Sequence, residues 1–174
     1  MTRYAALLRG VNVGGINMKM AEVAEVFAGL GLEGVKTVLA SGNVLFDSPE
    51  SAATLKPQIE AALGERFGYE AWVQVLDVET IGRIIDAFPF EAEREGWHPY
   101  VIFTLDAPLA AELLEWQEKL DPQFESIRPG DGVIYWTVER GNTLGSTFAK
   151  ETARARHKAT TTTRNLRTLQ KLVR

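Results

Sequence analysis

Apolar positions along the chain recur with two different periods, and the changes between them divide it into short extended and helical segments. Tyr4 to Val11 is a largely apolar run with the pattern of a buried strand; Met20, Val23, Phe27 and Leu30 then recur at helical spacing until Gly31 supplies a stop. Val35 to Ala40 and Asn43 to Asp47 are β-branched or apolar runs joined through Ser41 and Gly42, a hairpin signal. From about Ser51 a second helix sets Leu55, Ile59, Leu63 and Phe67 four apart and closes at Gly68, and Trp72 to Leu76 alternates as a strand. This β-α-β-β-α-β order is that of a ferredoxin-like fold, with helices on one face of an antiparallel sheet.

Asp77 can cap a linking helix that buries Ile81, Ile84, Ile85 and Phe88 and ends before Pro89. The acidic stretch Glu91 to Gly96 is the candidate boundary, which gives a first subdomain over residues 1–90 and a second over 91–174. The second restarts with a strand at Tyr100 to Leu105, then a helix capped by Asp106 with Leu109, Leu113, Trp116 and Leu120 on one face. Phe124 to Arg128 and Val133 to Val138 flank the turn cluster Pro129, Gly130, Asp131 and Gly132. Leu144 to about Arg156 reads as a helix, Ala159 to Thr163 as a short strand, and Thr163 as the N-cap of a last helix facing inward through Leu166, Leu169 and Val173. The expected class is therefore α+β, two tandem ferredoxin-like subdomains that arose by duplication.

Composition narrows the chemistry. At 174 residues with 45% hydrophobic and 24% charged positions, the chain has the make-up of an ordinary globular protein. It contains no cysteine, which excludes disulfides, thiolate nucleophiles and sulfur-ligated zinc. A cytoplasmic location fits best, and the apolar run before Arg9 is too short for a signal peptide or a membrane span. The net charge of −4 conceals an asymmetry: from Arg140 onward nine basic residues face the single acid Glu151, so a basic C-terminal segment follows an acidic body.

Three segments invite a functional reading. Arg9-Gly10-Val11-Asn12-Val13-Gly14-Gly15-Ile16-Asn17 lies between a strand and a helix, where free N–H groups and a helix dipole favour anions. It completes neither a Walker motif nor GxGxxG, because Ile16 and Asn17 stand where Lys and Ser/Thr belong. A tight βα turn capped by asparagines is the structural alternative. Ser41-Gly42-Asn43 joins the central strands, and a hairpin alone accounts for Gly42 and Asn43. In the run Lys158 to Asn165 four threonines precede Arg164 and Asn165, a helix start able to hold phosphate or carboxylate through charge-assisted hydrogen bonds. His157 and His98 are more simply capping or strand-entry residues, and Tyr135 and Trp136, placed like the aromatics of RNA-recognition modules, are more simply core.

With those segments the chain resembles a widespread bacterial family known as domain of unknown function 1697. The likeness rests on Leu7-Leu8-Arg9-Gly10-Val11-Asn12-Val13-Gly14-Gly15 followed by Met20-Ala21-Glu22, on Ser41-Gly42-Asn43-Val44, and on Ala159-Thr160-Thr161-Thr162-Thr163-Arg164-Asn165. The resemblance implies two ferredoxin-like subdomains and no established activity. The chain departs from the family pattern at Leu166, where tryptophan is usual, and at Ile16, where a polar residue is usual.

The leading expectation is an anion-binding module for a phosphate-bearing ligand, nucleotide or nucleic acid, lined by Arg9, Asn12, Gly14, Gly15, Asn17, Ser41, Asn43, Thr162, Arg164 and Asn165. The first βα loop and the central hairpin are expected at opposite ends of their strands or offset across the sheet. The alternatives are an enzyme acting on a small anionic metabolite, with an acid such as Asp47 transferring a proton, and a protein-interaction scaffold. No cofactor, metal or membrane partner is expected, and a homodimer is compatible with the fold.

Overall fold

The structure, a computed structural model, describes residues 1–9, 17–39, 42–104, 107–142, 145–152, 154 and 161–174. The first half runs β1 (Thr2–Arg9), α1 (Met20–Gly29), β2 (Glu33–Val38), β3 (Asn43–Ser48), α2 (Ala52–Phe67) and β4 (Trp72–Asp77). After α3 (Val78–Asp86), the order repeats as β5 (Trp97–Thr104), α4 (Ala107–Leu114), β6 (Glu125–Pro129), β7 (Val133–Glu139), α5 (Thr147–Thr152) and β8 (Thr161–Asn165); α6 (Leu166–Leu172) comes last. The two sheets are antiparallel, with strand orders β2-β3-β1-β4 and β6-β7-β5-β8. The α+β class with two ferredoxin-like halves is thus as the periodicity predicts.

The chain divides into two compact units: Met1–Ile81 together with Lys171–Arg174, and Gly82–Gln170. In the first, Tyr4, Ala6 and Leu8 of β1 bury with Val44 and Phe46 of β3, Val73 of β4, and Val23, Phe27, Leu55, Ile59 and Leu63 from the two helices. In the second, Ile102, Ile127, Ile134, Trp136 and Val138 form the equivalent face against Leu113, Leu120 and Phe148. Strand residues two apart share a face, so each sheet turns one parity toward its helices and the other away from them.

Local chemistry accounts for most element ends. The Ser51 Oγ accepts the Thr54 N–H at 3.2 Å to start α2, and Gly68, at φ +68°, takes the left-handed turn that ends it. Asp77 caps α3 by accepting the Thr80 N–H at 2.7 Å.

Other ends depart from the expectation. Helix α4 stops at Leu114 and passes into a short 3₁₀ turn, Glu115–Glu118. Helix α5 begins only at Thr147, where the Ser146 Oγ accepts the Ala149 N–H at 3.0 Å. Thr163 is not a helix cap: it pairs with Ile102 inside β8, and Asn165 takes the capping role by accepting the Arg167 N–H at 2.9 Å. Leu172, not Val173, is the buried residue at the end of α6. The N-cap residue of α1 is Lys19, whose side chain makes no capping hydrogen bond. Among the described residues no helix is long and apolar enough to cross a membrane.

Candidate functional site

Arg9 is the last residue of β1, the central strand of the first sheet. Because β1 and β3 are antiparallel with Leu7 opposite Asn43, the end of β1 lies beside the start of β3, and the Leu8 N–H donates to the Gly42 carbonyl at 2.8 Å. The first βα segment and the central hairpin therefore leave the sheet at the same end, which corrects the expectation of opposite ends. Two strands of opposite direction that sit side by side must present one's exit next to the other's entry. The start of β4 joins them, with Trp72 opposite Arg9.

The face turned away from α1 and α2 carries Ala5, Leu7 and Arg9 of β1, with Asn43 of β3 and Gln74 of β4 both opposite Leu7. Asn43 is fully buried and donates through Nδ2 to the Val38 carbonyl at 2.9 Å, which ties the two strands of the hairpin together. Arg9 is half-buried, and desolvation pulls its guanidinium below the ordinary arginine pKa; the side chain stays charged at neutral pH. Asn17 is exposed ahead of α1. Asn12, Gly14, Gly15 and Ser41 lie outside the described residues.

Thr162, Arg164 and Asn165 belong to the second unit. Arg164 is not at a helix start but within β8, opposite Val101, and Thr162 is opposite Phe103, so both side chains lie on the sheet face away from α4 and α5. Arg164 is only 7% exposed, and its Nη1 donates to the Thr162 Oγ1 at 2.8 Å and to the Thr163 carbonyl at 3.0 Å. The threonine-rich run thus orients a guanidinium rather than capping a helix. His157 and Lys158 lie outside the described residues.

Several candidates have structural duties. Asp47 forms an ion pair with Arg3 at 3.1 Å, and the same Arg3 Nη1 donates to the Gly34 carbonyl at 2.9 Å, so the proposed proton-transfer acid is engaged in holding β1, β2 and β3 together. Tyr135 and Trp136 are both buried: Tyr135 donates to the Ile84 carbonyl at 2.7 Å and meets Phe88 edge-on, while the Trp136 Nε1 donates to Glu125 at 3.1 Å. Neither offers a ring for base stacking. Burial, then the charges of Arg140 and Arg167, hold the His98 pKa below the usual imidazole value.

Gln74, which the sequence does not single out, is 5% exposed. In the second unit, Thr104, Ala107, Ala110, Ala111, Leu114, Gly130, Gly132 and Val133 line a groove of about 380 Å³ at the end of β5. Among the described residues no three His, Asp or Glu side chains gather as metal ligands would.

A family model described as "Protein of unknown function (DUF1697)" matches residues 1–135. Among solved structures, a conserved bacterial protein from Streptococcus pneumoniae is similar at 26% identity with a TM-score of 0.80, over 99% of this chain and 97% of that one. No curated protein matches.

Proposed function

We propose, for a chain that belongs to the DUF1697 family of proteins of unknown function, that the corner of the first unit at the end of β1 binds a phosphate-bearing anion, a nucleotide or a nucleic acid. The residues proposed for this seat are Arg9, Asn12, Gly14, Gly15, Asn17 and Ser41, with Asn43 fixing the hairpin beside it through its bond to Val38, and Thr162, Arg164 and Asn165 are proposed as a second basic position in the other unit. The observation that carries the reading is the register of β1 and β3, which brings a half-buried arginine, the entry to a glycine-rich segment and the hairpin to one end of one sheet. Desolvated guanidinium groups bind phosphate oxygens in paired, charge-assisted hydrogen bonds, and glycine lets backbone N–H groups approach closely. In the second unit Tyr135 and Trp136 are both enclosed, so the reading there rests on anion contacts and not on base stacking.

The test is equilibrium binding of the purified protein to inorganic phosphate, a nucleotide panel and short RNA and DNA at several salt concentrations, beside Arg9→Ala and Arg164→Ala. A hydrogen bond to a charged group contributes about 1.5–3 kcal/mol, so Arg9→Ala is expected to weaken binding roughly tenfold or more. A steep fall in affinity with salt identifies a nucleic acid, a shallow one a nucleotide. Loss only in Arg164→Ala moves the seat to the second unit, and no binding by any panel member overturns the reading.

A further inference from the structure

Strand β4 is an edge of the first sheet, and its outward side carries an unusual contact. The Lys56 Nζ and Glu60 Oε2 of α2 form an i,i+4 ion pair at 2.8 Å, and both also grip the backbone of Val73: Lys56 donates to the Val73 carbonyl at 2.7 Å, and Glu60 accepts the Val73 N–H at 3.0 Å. Those two backbone groups point away from β1. The Leu8 N–H, opposite Val73, is bonded to Gly42 on the other side, so Leu8 and Val73 form a non-hydrogen-bonded pair. By the same alternation Val73, Val75 and Asp77 present their polar backbone outward, while Trp72, Gln74 and Leu76 bond to β1.

We infer that the Lys56–Glu60 pair is an edge guard, which keeps β4 from pairing with β4 of a second copy of this chain. The strand itself has no defence: Trp72-Val73-Gln74-Val75-Leu76 is uncharged, rich in strand formers, free of proline and in unbroken register with β1. Antiparallel pairing of this segment with itself would bring no like charges together, and a two-fold axis would close it as a dimer. The opposite edge, β2, is protected by different means, for it carries Glu33 and Lys36, and its register shifts between them at Gly34, whose φ is +57°. With Val73 occupied, the uncharged stretch of β4 offers only Val75 for outward pairing, which is too short a ladder to hold a partner.

Lys56→Leu/Glu60→Leu is expected to shift the protein from its wild-type mass to twice that mass or to larger assemblies, read by light scattering across a concentration series. Glu60→Gln, which keeps an acceptor for the Val73 N–H, is expected to behave as wild type. Adding Val75→Pro to the double variant removes an outward N–H that takes no part in the β1 ladder, and should restore the original mass. A folded double variant with unchanged mass overturns the inference, as does association that survives Val75→Pro. Wild-type protein supplies a check independent of variant folding: the Val73 amide should exchange with solvent at least tenfold more slowly than that of Val75, and equal rates overturn the guard.

Discussion

Gly34 shows how one atom decides a strand. Its φ of +57° disfavours any side chain, and a Cβ there would stand 2.6 Å from Asp47 Oδ2 and 2.9 Å from Arg3 Nη1, the ion pair that spans β1 and β3. Gly34→Ala should therefore destabilise the protein by about 1 kcal/mol or more, measurable as a lower urea midpoint with unchanged slope. Nothing in the sequence marks Gly34 as special, because the residues that crowd it lie 31 and 13 positions away. Arg9 and Asn43 were legible as unusual residues. That Asn43 is committed to the Val38 carbonyl was not, since a hydrogen bond across a hairpin depends on register rather than on residue type.

At the scale of elements, α2 is the most legible piece of the chain. Ser51, the four-residue spacing from Leu55 and the final Gly68 each act locally, and local signals survive in a sequence. Removing the cap in Ser51→Ala should cost about 1 kcal/mol, seen as a fall in thermal midpoint; no change would mean that tertiary packing alone fixes the helix start. The junction of β8 and α6 was misread for the converse reason. Thr163 and Arg164 have the composition of a helix start, but pairing with Ile102 and Val101 extends the strand through Asn165, and long-range pairing overrides local preference. The candidate site inherits both behaviours: its residue types stand out in the chain, while the shared end of β1 and the hairpin emerges only from the antiparallel register.

For the whole molecule, the duplicated element order could be read from periodicity, whereas the return of the C-terminus could not. Lys171–Arg174 belong to the same unit as Met1–Ile81, and Leu172 is buried. Burying a leucine side chain contributes about 1.5–3 kcal/mol, so deleting residues 171–174 should speed amide exchange across β1 to β4, not merely fray the last helix. Exchange unchanged in those strands would show that the segment adds nothing to the first unit.

Each unit builds the same corner. Leu8 donates to Gly42 at 2.8 Å in one, and Thr104 donates to Gly132 at 3.0 Å in the other, each tying the end of a central strand to a glycine of the neighbouring hairpin. The connections leaving these two strands differ in length: ten residues separate β1 from α1, two separate β5 from α4. A short form of the corner and a long one thus occur within a single polypeptide. The longer corner can therefore be measured against a shorter one inside the same polypeptide, with no homologue and no second protein.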